Sequence, residues 1–209
     1  MMITLNVIKY LNGNNKMKVT IHQPEHFPYE GFFQKISSAD LFVVLDNVKF
    51  RKNYFQNRNK FLNSQGNDEW FTVPVEKKAA SKKIKDVLVS NHGNWRKKLN
   101  NKIKQNLNLD ISNIYDADSL LEINMRSIKW CMKELSITTP MVMASELDVR
   151  GEKSQLLSSI VSTVGGKHYI SGPSGKDYLD MSFFSGIEVS FFTPNVKNYY
   201  SMLYNISKR

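Results

Sequence analysis

His22, Asp46 and Asn47 are the side chains of this chain whose types and spacing best suit catalysis. His22 closes the apolar run KVTIH, and Asp46 and Asn47 close the run ADLFVVLDN. Polar groups at the ends of buried strands stand where open α/β sheets keep their ligands. A histidine there can accept, donate or orient a proton near neutral pH, and the Asp-Asn pair can position an amine or a hydroxyl. Each has a plainer reading: the histidine ties its turn together, and Asp-Asn is a common turn former. Gln23 and His26 share the Pro-flanked turn after His22. The two histidines lie four apart in a turn with no third ligand nearby, so a metal site is not expected. Arg51, Asn57 and Arg58 follow on a segment too polar for a core, and the planar guanidinium fork suits phosphate or carboxylate.

A second candidate is SGPSGKDYLD, from Ser171 to Asp180. Ser171, Gly172, Ser174, Lys176 and Asp177 lie between a strand and a helix start, where backbone N–H groups can cradle an anion. The alternative is a turn capped by Ser174 or Asp177. The segment is not a phosphate-binding P-loop, because the first glycine and the final Ser/Thr of that pattern are missing. No Ser-His-Asp order, catalytic carboxylate pair or CxxC motif is visible.

Several elements must hold these groups. KVTIH predicts a short strand, and the prolines at 24 and 28 delay the next helix until after Pro28. Phe32, Phe33 and Ile36 then recur at helical spacing. Leu41–Leu45 is a continuous apolar run, as in a strand buried on both faces. Strand, helix and strand in this order predict a βαβ unit and a parallel sheet. Further strands are expected at Trp70–Val75, Met141–Ala144, His168–Ile170 and Ile187–Phe192. Helices are expected at Trp95–Leu107, Ser119–Leu135 and Lys153–Val164, the last stopped by Gly165-Gly166. The fold class that follows is α/β, a three-layer open and mostly parallel sheet of Rossmann-like type. Residues 17–209 are expected to form one domain with 76–118 as a basic helical insertion, and residues 1–16 an N-terminal extension.

The composition sets outer limits. The 209 residues are 41% hydrophobic and 23% charged, enough for a substantial core. No apolar run approaches the roughly 18–20 residues that span a bilayer, and the first sixteen residues make a poor signal peptide. The single Cys131 excludes an internal disulfide and reads as a core residue, so a cytoplasmic location is the simplest expectation. The net charge is +10, and ten of the 29 Lys and Arg residues cluster between Lys77 and Lys104. Aromatic residues are not interleaved there as a base-stacking surface requires, which leaves a solvated face or phosphate steering ahead of nucleic-acid binding.

HQPEHFPYEGFFQKI, ADLFVVLDNVKFRKNYFQNRNKF, FTVPV, YISGPSGKDYLD and GIEVSFF, in this order from about Met17 to Phe192, closely resemble the WbqC-like family. That family is associated with O-antigen and other surface-polysaccharide gene clusters. The resemblance implies an enzyme that decorates a nucleotide-linked amino sugar, transferring an acyl or aminoacyl group, for example glycyl, to its amine. The alternative is a non-catalytic nucleotide-sugar-binding or scaffold module. If ATP activates the donor, Mg²⁺ accompanies it; an aminoacyl-tRNA donor would instead give the lysine-rich region a partner. On this reading His22, Asp46 and Asn47 are catalytic, and Gln23, His26, Arg51, Asn57, Arg58, Ser171, Gly172, Ser174, Lys176 and Asp177 bind substrate. Members usually continue past the last strand with a Pro- and aromatic-rich tail and another helix, where this sequence reads FFTPNVKNYYSMLYNISKR. The opening turn and helix also resemble, at the level of fold, pantothenate synthetase and related nucleotidylyltransferases. Their H-x-G-H signature is not met here, since Phe32 stands where a second histidine would be.

Overall fold

The computed structural model describes residues 16–209; the N-terminal extension expected over 1–16 lies outside the described residues except for Lys16. In chain order the elements are β1 (Lys18–His22), α1 (Glu30–Ser37), β2 (Leu41–Val44), β3 (Arg58–Leu62) and β4 (Asp68–Thr72). They continue with α2 (Trp95–Leu107), α3 (Leu120–Glu134), β5 (Met141–Met143), α4 (Lys153–Thr163), β6 (His168–Ser171), α5 (Gly175–Tyr178), β7 (Glu188–Phe191) and α6 (Met202–Ser207). These elements pack as two compact units. Unit 1 comprises residues up to 23, 31–45 and 138–195; unit 2 comprises 24–30, 46–137 and 196–209.

Unit 1 is built on a five-stranded, all-parallel sheet in the order β5-β2-β1-β6-β7. Numbering only these five strands along the chain turns that order into 3-2-1-4-5, the arrangement of a Rossmann-like open sheet. All four residues of β2, LFVV, are buried, as an all-apolar run in a sheet covered on both faces should be. Register is explicit on both sides of β1, with Thr20 opposite Phe42 of β2 and opposite Ile170 of β6. The buried Thr20 hydroxyl donates to the Ile170 carbonyl at 2.9 Å, so the one polar side chain in the middle of β1 is satisfied. Helix α1 buries Phe32, Phe33 and Ile36, and α4 buries Leu156, Leu157, Ile160 and Val161.

The stop of α4 follows from two glycines. Gly165 adopts φ +78°, its N–H reaches the Ser162 carbonyl, and the Gly166 N–H reaches that of Val161 at 2.8 Å. This pair of bonds is a Schellman closure. A β-carbon on Gly166 would lie 2.6 Å from Val19 Cγ2 and 2.9 Å from Val161 Cγ1, so the helix end can approach β1 only as glycine.

Unit 2 centres on a two-stranded antiparallel sheet, β3 with β4, in which Arg58 faces Thr72 and Leu62 faces Asp68. The expected strand at Trp70–Val75 is therefore shifted to Asp68–Thr72, and it pairs with a strand that the polar sequence RNKFL did not suggest. Alternation explains the omission: only Asn59 and Phe61 of β3 point inward, and one of these is polar. Helix α2 matches its expected bounds and buries Leu99, Ile103 and Leu107. Helix α3 starts after Ser119, whose hydroxyl accepts the Glu122 N–H as an N-cap. The basic stretch 76–118 belongs to unit 2, where it holds α2 and three short 3-10 turns, at 79–81, 84–86 and 112–115.

Candidate functional site

The HQPEHFPY segment divides between the units. Within unit 1, His22 and Gln23 leave the C-terminal end of β1, and Ser171 ends the neighbouring β6. This is the point in the 3-2-1-4-5 order at which successive strands switch from one side of β1 to the other. In such sheets the crevice outside the strand ends at the switch point is where ligands bind.

His22 is half-buried there, its ring edge-on to Phe32 at 4.9 Å. Nδ1 lies 3.0 Å from the Gln23 carbonyl, so Nδ1 carries the proton and donates, and the lone pair is on Nε2. Burial first, and then the Lys35 ammonium, lower the pKa from 6.5 to about 3. Lys35 is itself buried and donates to the Ile21 carbonyl at 3.3 Å. His22 is therefore a neutral imidazole at physiological pH. Of the two roles expected for it, orienting group suits this geometry and general base does not, because an effective base has a pKa near the working pH.

The SGPSG loop shows why its two glycines differ. Gly172 has open space where a side chain would stand. Gly175 is pressed against the Ser171 hydroxyl and the Phe191 ring, so a β-carbon there has no room. The expected cradle of backbone N–H groups is largely used up within the loop: the amides of Gly175, Lys176 and Asp177 donate to the carbonyls of Gly172, Pro173 and Ser174. The loop's means of holding an anion are then side chains. Ser174 and Lys176 are both exposed, Lys176 Nζ lying 5.7 Å from the Phe191 ring centre, and the exposed Asp177 carboxylate opposes an anion.

The remaining expected site residues lie in unit 2. His26 is fully enclosed among Phe27, Phe71 and Tyr115, and Tyr115 Oη lies 3.3 Å from its Nε2. Burial lowers its pKa to about 3, partly offset by Asn124. With no exposed surface, His26 has no face to offer a substrate. Asn57 is also buried and occupied: its Nδ2 donates to the Val73 carbonyl at 3.0 Å and its Oδ1 accepts from the Asn53 N–H at 3.0 Å. Asp46 is 1% exposed, and its carbonyl accepts the Lys85 N–H. Asn47 is half-buried, and its Oδ1 finds no hydrogen-bond partner among the described residues. Arg51 is exposed with its guanidinium 4.3 Å from the Tyr54 ring, and Arg58 lies 4.4 Å from the Trp70 ring.

Three polar residues not anticipated as structural hold the Pro24–Glu30 turn. Asn124 Nδ2 donates to the carbonyls of Pro24 and Gln56, Asn59 Nδ2 to those of His26 and Phe27, and the Ser127 hydroxyl accepts the Phe27 N–H. Phe27 needs this support, because φ +43° is uncommon for a residue with a side chain. The one signal available beforehand was a polar residue on an otherwise apolar face, as with Asn124 and Ser127 in α3.

The fold and strand-end geometry define a Rossmann-like α/β protein with a polar switch point. The chain belongs to the WbqC-like protein family, whose model matches residues 23–205. Among curated proteins it is similar to the uncharacterized protein Rv1507c of Mycobacterium tuberculosis, 27% identical over 185 residues, covering 82% of this chain and 79% of the relative. No solved structure matches the chain. Among the described residues, no helix is long and apolar enough to cross a membrane.

Proposed function

We propose that this protein is an enzyme of surface-polysaccharide (O-antigen) biosynthesis that transfers an acyl or aminoacyl group, such as glycyl, to the amine of a nucleotide-linked amino sugar. The observation that carries this reading is the pairing of a neutral histidine, His22, with the Ser171–Lys176 loop at the switch point of the sheet. Amide formation needs a neutral amine, a carboxyl carbon carrying a leaving group, and a place for the nucleotide phosphates. The amine nitrogen attacks the acyl carbon, the C–N bond forms, the leaving group departs with the bonding electron pair, and the amine's proton passes to the departing group or to solvent water. His22, with its lone pair on Nε2, orients that amine by accepting one of its hydrogens. Lys176 and Ser174 hold phosphate oxygens by charge and hydrogen bond. If ATP activates the donor, Mg²⁺ would accompany it on the nucleotide phosphates.

The low basicity of His22 also favours a second reading, a module that binds a nucleotide sugar without acting on it. One experiment separates the two. The purified protein is incubated with dTDP-linked amino sugars, ATP and a panel of amino acids, following the sugar mass and release of pyrophosphate or AMP. A gain of one acyl or aminoacyl mass supports the enzyme. Binding of the sugar nucleotide without a mass change for any donor supports the module, and absence of binding removes both.

A further inference from the structure

Unit 2 contains a pocket of about 170 Å³ lined by Glu25, Tyr29, Tyr54, Phe55, Asn59 and Tyr199. Four of its six lining residues are aromatic. Two face each other as a tilted pair, Tyr29 and Tyr199, with ring centres 5.6 Å apart. Tyr54 and Phe55 form an edge-on pair at 5.0 Å. Exposed aromatic rings are unusual on a polar loop. Yet Tyr54 is 41%, Phe55 36% and Tyr199 69% exposed, so core packing does not explain them.

The one carboxylate among the lining residues is that of Glu25. Glu25 is 9% exposed, and its carboxylate lies near enough to Tyr29 to help burial raise the phenol's pKa. The faces of aromatic rings are the negative ends of their quadrupoles, so rings and carboxylate attract the same kind of ligand. Asn59 adds no competing donor, because both its Nδ2 contacts go to the carbonyls of His26 and Phe27. The Arg51 guanidinium already lies 4.3 Å from the Tyr54 ring, which shows that ring accepting a cation; Arg51 does not line the pocket. The volume suits one small ring or a compact ammonium group and is too small for a nucleotide.

We infer that this pocket binds a small organic ammonium ion, a protonated amine on a compact ring or chain, among the four aromatic rings and beside the Glu25 carboxylate. The inference stands on unit 2 alone and does not depend on the acyl-transfer reading. The test compares glucosamine with N-acetylglucosamine, which keep the same ring and differ in charge, by ligand-observed NMR titration of the full chain. It is run at about pH 6, where an amine with a pKa near that of an α-amino group is protonated.

Glucosamine is expected to bind at least about tenfold more tightly than N-acetylglucosamine, as a desolvated cation–π contact beside a carboxylate implies. Glu25→Gln, which keeps size and hydrogen bonding, is expected to remove that preference. Tyr199→Ala, at an exposed position where folding is not at stake, is expected to weaken glucosamine alone. Equal binding of the two sugars, binding of neither, or an unchanged preference in Glu25→Gln would overturn the assignment.

Discussion

Ser171 and Gly175 are in contact across the SGPSG turn, the serine hydroxyl lying where a β-carbon on Gly175 would have to stand. Phe191 closes the other side of the same space. A side chain at position 175 would have to turn the Ser171 hydroxyl aside and press on Phe191. Gly175→Ala is expected to push the turn off β6 at a cost of about 1–3 kcal/mol. It should also weaken sugar-nucleotide binding, whereas Gly172→Ala, facing open space, should cost far less. Urea denaturation and binding isotherms of the two variants check this contrast.

At His22 the expectation concerns protonation. A pKa of about 3 leaves the ring neutral across the working range. The pH profile of kcat should then show no inflection from this group between about pH 5 and 8. His22→Gln, a neutral hydrogen-bonding substitute, should keep more activity than His22→Ala, for which a loss on the order of 100-fold is expected. An inflection near pH 6.5 that disappears in His22→Gln would instead make the histidine a base.

His26 bears on stability, not catalysis. Its folded pKa, about 3, lies below the unfolded value of 6.5, so the unfolded chain binds the proton more readily. Stability linked to His26 is thus fully present above about pH 6.5 and falls as pH drops toward 3, at up to about 1.4 kcal/mol per pH unit. Denaturation curves between pH 7 and 4 should show this slope added to one of the same sign from His22, and His26→Gln should remove the His26 share.

Asn124 is expected to be among the costliest buried polar losses in unit 2. Asn124→Ala removes donors from two buried carbonyls, those of Pro24 and Gln56. Each orphaned group carries a desolvation penalty, for a total of about 2–6 kcal/mol. Thermal melts and hydrogen exchange over residues 24–30 would register it.

Cys131 is fully buried on α3, and burial raises its thiol pKa well above the ordinary value. The native protein should resist a thiol reagent at pH 8 and react with it once denatured. Rapid labelling of the folded chain would contradict the core placement.

Elements with a single strong period were legible directly. LFVV reads as a strand buried on both faces, Leu99, Ile103 and Leu107 fall on one helix face, and the Gly165-Gly166 pair signals a helix end. Where polar residues turn inward, local pattern misleads: RNKFL hides a strand because Asn59 is spent on backbone carbonyls, Asn57 is spent on the Val73 carbonyl and the Asn53 N–H, and His26 is enclosed beside Tyr115. The last helix, Met202–Ser207, is too short to show a period.

The sequence by itself determined the α/β class, most element bounds, the presence of His22 and Ser171 at strand ends, and the family motifs, because these depend on local periodicity and on residue order. Only the tertiary structure decided which strands are neighbours, and hence that β1 and β6 form the switch point. It alone showed that His22 is held neutral, that the SGPSG amides bond within their own turn, and that Glu25 shares a pocket with Tyr199. Those properties arise from burial and from contacts between residues far apart in the chain, which no local spacing encodes.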